Sequence, residues 1–215
     1  MRALAVALLS AALLVWAAGS ARAVPGEPVS DPLDPLVALV AQRLDTADAV
    51  AAAKWAYLRL RSGHARVVDG LRPAVPVLAD AARDRSAPKV DDPEREAEVY
   101  DAMARLGAAH GLPENWVRKV FLGQIEASKT VQYGLIARWR FDPAAAPATP
   151  PDLTDVRPTI DRLNTAIIGQ LAEHRVELAA PDCMERLAHG VFAHFATADP
   201  LHRLALIRAA SALCR

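Results

Sequence analysis

The sequence predicts an all-α protein. Three observations predict it. Apolar side chains recur at three- and four-residue steps through several long segments, and no β-branched run alternates with the two-residue period of a strand. Aromatic residues make up only 5% of an alanine-rich chain, a composition suited to closely packed helices.

The first 23 residues read as an export signal rather than as part of the fold. Arg2 gives a positive start, Ala3 to Ala18 is apolar apart from Ser10, and Ala21-Arg22-Ala23 offers small residues around a cleavage point before Val24. A retained anchor is the alternative, but the run is short for a membrane span. Cleavage places residues 24–215 in the periplasm or outside the cell, with no remaining membrane attachment. Lys and Arg number 25 against 25 Asp and Glu, and loss of Arg2 and Arg22 leaves the chain slightly acidic. That balance argues against nucleic acid or an anionic membrane as partner.

Residues 24–33 are rich in Pro and Gly and read as a loose leader, so the folded domain is expected at 34–215. Asp34 is the expected cap of the first helix, with Pro35 at its first position. Leu36, Leu39, Val40, Ala47, Val50 and Ala51 then form one apolar stripe through Trp55. Arg43 and Lys54 lie within that stripe. Eleven residues at about 100° each is close to three whole turns, so both cations project from the buried face roughly 16 Å apart. Buried cations are costly without a partner. Either carboxylates from other helices neutralise them, or their partner is an anionic ligand.

Residues 56–85 carry six arginines, with Gly63, Gly70, Pro73 and Pro76 among them, and read as a partly helical surface insert. The second helix follows Asp91-Asp92-Pro93, with Glu94 and Glu96 at the positive end of its dipole. Val99, Met103 and Leu106 are its expected buried stripe, and Gly111 with Pro113 ends it. Arg95 and Glu96 stand in its first turn. The third helix runs from Pro113 to about Trp139, with Val117, Phe121, Ile125, Val131, Leu135 and Trp139 inward. Ser128 and Gln132 share that face at four-residue spacing. They either bond within the helix or give directional hydrogen bonds to something bound in the bundle.

The Ala/Pro-rich residues 141–155 read as an extended strap between two helical lobes. Thr154 or Asp155 is the expected cap of the fourth helix, with Pro158 in its first turn and Arg157 held extended ahead of the proline. Ile160, Leu163, Ile167, Leu171 and Leu178 continue the apolar stripe. Pro181 and Pro200 open two final helices, with Leu187, Val191 and Phe195 inward in one and Leu201, Leu204 and Ala205 in the other. Cys183 and Cys214 are the only cysteines. In an oxidising compartment a single disulfide between them is the economical reading. Two free buried thiols are the alternative.

The six histidines form no pair at helical metal-site spacing, so no metal centre is expected. The sequence also has no glycine-rich phosphate loop, no serine-nucleophile motif and no cysteine spaced for catalysis. No cofactor is expected. What remains is a helical pocket lined by cations and hydrogen-bond donors.

Taken together, these residues resemble the secreted subclass of the all-helical chorismate mutases. The match is carried by Arg43 and Lys54 in RLDTADAVAAAKW, by the Asp-x-x-Arg-Glu pattern in DPEREAEV from Asp92, by Ser128 and Gln132 in QIEASKTVQY, and by Arg157 in PPDLTDVRPTIDRLN. Cys183 and Cys214 also fall where that subclass carries a disulfide. The resemblance implies a single six-helix domain of chorismate mutase type II fold and a homodimer in which each chain holds its own site. It implies conversion of the dicarboxylate chorismate to prephenate, a rearrangement that needs neither proton transfer nor a covalent intermediate. Arg43, Arg157 and Ser128 would hold the carboxylates, with Arg95 and Asp92 as supporting contacts. Glu96 would accept from the ring hydroxyl, while Lys54 and Gln132 would donate to the ether oxygen. The chain departs from the family pattern in the long 56–85 insert, which threatens Lys54 if that residue sits at a helix end. Two other functions compete: a lyase eliminating pyruvate from isochorismate on the same fold, and a secreted helical module that binds a partner without catalysis.

Overall fold

The structure, a computed structural model, describes residues 31–69 and 90–215, with side chains described at 31–59 and 90–215. The signal at 1–23 and residues 70–85 of the insert lie outside the described residues.

Six α-helices form the described chain: α1 (Asp34–Asp69), α2 (Pro93–Ala109), α3 (Glu114–Phe141), α4 (Leu153–Glu173), α5 (Cys183–His194) and α6 (Pro200–Ala210). Among the described residues there are no strands. Short 3-10 turns at Pro143–Ala145 and Glu177–Ala179 join α3 to α4 and α4 to α5.

Helix α1 is the axis, packed against α3, α4, α5 and α6. Its Leu36, Val40 and Ala47 are buried as expected, joined by Val37 and Leu44, which complete a wider stripe. These side chains meet Phe121 and Val131 of α3, Ile167 and Leu171 of α4, Leu187 of α5 and Leu206 of α6 in one core. The strap therefore does not separate two lobes. Helix α4 turns back onto α1 and α2, and its apolar face finishes the same core.

Several boundaries differ from expectation. The turn before α1 is capped by Asp31, not Asp34: Asp31 Oδ1 accepts from Leu33 N at 2.8 Å, and Asp34 Oδ2 accepts from Asp31 N at 2.9 Å. This reciprocal capping, with Pro32 between, draws 31–33 out of the supposed leader and buries Leu33 completely. Asp31 is also held by Arg186 of α5, through Nε at 2.8 Å and a second nitrogen at 3.1 Å.

At its other end α1 continues through Gly63 to Asp69, so the first part of the supposed insert is helix. Lys54 consequently stands in mid-helix with its backbone fixed on both sides. A second, smaller core stabilises this stretch, where Ala51, Ala52, Ile136 and Trp139 pack with Trp55, Leu58, Val90 and Ala146.

Helix α2 begins as predicted, with Asp92 Oδ1 accepting from Arg95 N at 3.2 Å. It ends at Gly111, whose φ of 71° suits glycine. Its buried residues are Ala104 and Gly107, while Val99, Met103 and Leu106 are only partly covered. The helix crosses α3 so closely that a Cβ on Gly107 would lie 2.7 Å from Val117 Cγ2.

Helix α4 starts earlier than predicted, because Asp152 caps it through Thr154 N at 2.8 Å. Pro158 therefore lies inside the helix, and Arg157 is helical rather than extended. A proline this near the start removes one intrahelical hydrogen bond without ending the helix. In α6 Leu204 is exposed, and Leu206, Ala209 and Ala210 take the inward positions with Ala205. Cys183 and Cys214 form the expected disulfide, with Cα atoms 6.0 Å apart.

Candidate active site

The middle of α1, the start of α2, the middle of α3 and the start of α4 enclose a cleft of about 380 Å³. Each of the eight residues singled out from the sequence lines it: Arg43, Lys54, Asp92, Arg95, Glu96, Ser128, Gln132 and Arg157. Val50, Val99, Ile125 and Ile160 supply apolar walls.

Arg43 is only 6% exposed, and its guanidinium is oriented entirely by neutral acceptors. Its Nε donates to Asn164 Oδ1 at 2.7 Å, and one terminal nitrogen donates to Gln124 O at 3.1 Å and Ser128 Oγ at 3.0 Å. Among the described residues no carboxylate pairs with it. Burial lowers its pKa to about 10, still far above neutrality.

Lys54 shows the same pattern. Its Nζ donates to Gln132 Oε1 at 2.8 Å and forms no ion pair with a described residue. Burial lowers its pKa to about 8, although Asp92, Glu96 and Asp91 oppose the shift from farther away. Because the Gln132 carbonyl oxygen is occupied by Lys54, its amide N–H groups remain to donate into the cleft. The choice posed by the buried cations of α1 thus resolves in one direction. Neither is neutralised by a contacting carboxylate, and both line a cavity.

The α2 side differs. Asp92 is engaged as the helix cap, while Arg95, with its side chain 48% exposed, pairs with Glu98 at 2.8 Å. Glu96 lies 3.2 Å from Lys129 Nζ. Arg157 is exposed at the cleft edge.

Three polar residues in and around the site escaped the sequence reading. Asn164 and Gln124 are 1% exposed and together fix Arg43, the latter through its carbonyl while its side chain donates to Ala209 O at 3.3 Å. Both interrupt apolar stripes, Asn164 between Ile160 and Ile168 and Gln124 between Phe121 and Ser128, the same signal that drew attention to Ser128 and Gln132. Lys129 carries no such signal, since a lysine beside a polar stripe is common on helices.

Comparison with known proteins gives the family. The family model for chorismate mutase type II matches residues 34–133, from the start of α1 to Tyr133. The chain is 36% identical over 189 residues to the secreted chorismate mutase of Mycolicibacterium smegmatis, covering 86% of this chain and 88% of that one. It is 30% identical over 185 residues to the secreted chorismate mutase of Mycobacterium tuberculosis, covering 84% and 77%. Its fold is similar to a crystal structure of chorismate mutase from Burkholderia phymatum, with a TM-score of 0.66, 33% identity, and coverage of 86% of this chain and 98% of that one. With two such relatives spanning nearly the whole fold, this chain belongs to the chorismate mutase type II family.

Proposed function

We propose that this cleft converts chorismate to prephenate after export of the protein, and that Lys54 and Gln132 supply the donors that accelerate the reaction. The observation that carries this reading is the pairing of Lys54 Nζ with Gln132 Oε1 at 2.8 Å on the wall of a cleft. That contact uses one of the three ammonium N–H groups and only the oxygen of the amide, so two N–H groups of Lys54 and the amide N–H groups of Gln132 are left to donate into the cleft. In the rearrangement the ether C–O bond lengthens and negative charge builds on its oxygen. Preorganised donors at that oxygen favour the transition state over the bound substrate.

The remaining roles follow from charge and position. Arg43 receives one carboxylate deep in the cleft, with Ser128 turning its hydroxyl from the Gln124 carbonyl to join it, and Arg157 at the rim receives the other. Arg95 exchanges its exposed contact with Glu98 for the substrate, and Asp92 holds the turn that presents it. Glu96 accepts from the ring hydroxyl. Compressing a flexible dianion between fixed cations restricts it to the reactive conformer, so part of the acceleration is orientation. Because these residues all come from one chain, each copy of a homodimer would hold a complete site. Exposed Leu122, Leu204 and Ile207 offer apolar surface for such a partner.

Export rests on the apolar leader at 1–23 and on relatives that are named as secreted. Among the described residues no helix is long and apolar enough to cross a membrane.

The test is the loss of chorismate absorbance with purified residues 24–215 and with Lys54→Ala. Turnover in the wild type that falls by about two or more orders of magnitude in the variant supports the reading. A folded wild type that leaves chorismate unchanged but releases pyruvate from isochorismate overturns it.

A further inference from the structure

The site reading gives no role to Lys129, although it lines the same cleft. Its side chain is 16% exposed, and its Nζ meets three carboxylates: Asp91 at 2.8 Å, Glu126 at 3.0 Å and Glu96 at 3.2 Å. An ammonium has three N–H donors. One donates to Glu126, and Asp91 and Glu96 stand within ion-pair distance, so the charge of Lys129 is answered by carboxylates while Glu96 Oε1 itself is buried without a hydrogen-bond donor.

These partners come from three places. Glu126 is on α3 itself, Glu96 is in the first turn of α2, and Asp91 lies in the turn just before the Asp92 cap. Tyr133, one turn beyond Lys129, also donates its hydroxyl to Asp91. Lys129 and Tyr133 together tie the entry of α2 to the middle of α3. The tied segment carries Asp92, Arg95 and Glu96.

We propose that Lys129 is a positioning residue, holding the Asp91–Glu96 segment against α3 so that the Glu96 carboxylate and the Asp92-capped turn face the cleft. This rests on the reading of the site given above. Lys129 also acts on Lys54 at a distance. The charged groups that bear on Lys54 are Asp92, Glu96 and Asp91, which favour its protonated form, and Lys129, which opposes it. Removing the Lys129 charge therefore disorders Glu96 and at the same time makes Lys54 harder to deprotonate.

The experiment compares residues 24–215 with Lys129→Met and Lys129→Arg, first by amide hydrogen exchange without ligand and then by steady-state kinetics on chorismate across pH. The proposal expects faster exchange at residues 96–99 in Lys129→Met, with residues 103–109 unchanged. It expects kcat to fall by about 10-fold or more while KM changes little, as for a misplaced contact. The alkaline limb of the kcat/KM profile should move to higher pH, and Lys129→Arg should recover most of the lost kcat. Should Lys129→Met fail to fold, Asp91→Asn opens the same tie from its exposed end, and the same amides should exchange faster. Unchanged exchange at 96–99 overturns the proposal, as does a rise in KM alone, which would make Lys129 a substrate contact. A wild type without turnover defeats the functional reading, yet the exchange result still decides whether the tie exists.

Discussion

Lys54 and Lys129 are lysines on facing helices of one cleft, and their surroundings are opposite. Lys54 has a neutral amide oxygen as its contact, whereas Lys129 is held by three carboxylates. Burial lowers the pKa of Lys54 to about 8. Burial acts on Lys129 in the same sense, but its hydrogen bonds with Asp91, Glu126 and Glu96 outweigh it and hold the group well above the ordinary lysine range. A cation surrounded by carboxylates is satisfied and serves structure. One desolvated with only a neutral contact keeps most of its field, which suits it on the proposed reading to a dianionic ligand. Arg43 belongs with Lys54, since Asn164, Ser128 and the Gln124 carbonyl aim it without cancelling its charge.

The largest effect expected from breaking this arrangement is at Arg43. Replacing it with lysine keeps the charge but loses the fork that reaches three acceptors, and strips Asn164 Oδ1 of its donor in the core, while the Gln124 carbonyl keeps the Ser128 hydroxyl. We expect kcat/KM for chorismate to fall about 10³-fold, on the order of 4 kcal/mol, with the fold retained by circular dichroism. A loss under about tenfold would mean that charge alone, not directed hydrogen bonding, does the work.

A smaller effect is expected at Arg157, which is exposed at the rim and lies outside both environments. Arg157→Ala should raise KM by about 10-fold and lower kcat less, because a solvated cation contributes chiefly to uniform binding. An equal collapse of kcat would place Arg157 with the buried pair.

The neutral wall was readable from the sequence because its members break a pattern. Arg43, Lys54, Ser128 and Gln132 each interrupt an apolar stripe, and a helical period is enough to bring them to one face. Asn164 and Gln124 obey the same rule and were within reach of it. The Lys129 cluster obeys no local rule, since its carboxylates come from two helices and a turn, and only the packing of α2 on α3 brings them together. Helix boundaries show a similar divide. Asp91 or Asp92 before Pro93 marks the start of α2, and Asp92 is the cap, whereas the sequence points to Asp34 for α1 and to Thr154 or Asp155 for α4 where Asp31 and Asp152 do the capping. Several acidic residues near a proline leave the cap ambiguous until the hydrogen bonds are seen. Residues 56–85 read as partly helical, and 56–69 are helix; that this helix is continuous with α1 is not legible, because the support for Leu58 and Trp55 comes from Trp139 and Val90, far away in sequence.

The central claim is that Lys54 and Gln132 donate to the oxygen on which charge develops, and the most direct test is kcat against pH for the wild type and Gln132→Glu. Glutamine donates at any pH, so the wild-type rate should be flat from about pH 5 to near 8. Lysine donates best as the cation, so the rate should then decline as pH rises through the Lys54 pKa of about 8. A glutamate at position 132 must be protonated to donate, and Lys54 beside it favours the ionised form. The variant should therefore lose activity steadily above the ordinary glutamate range near pH 4, and be slower than the wild type by about 10²-fold or more at neutrality. A Gln132→Glu enzyme with a flat profile at the wild-type rate would contradict the account.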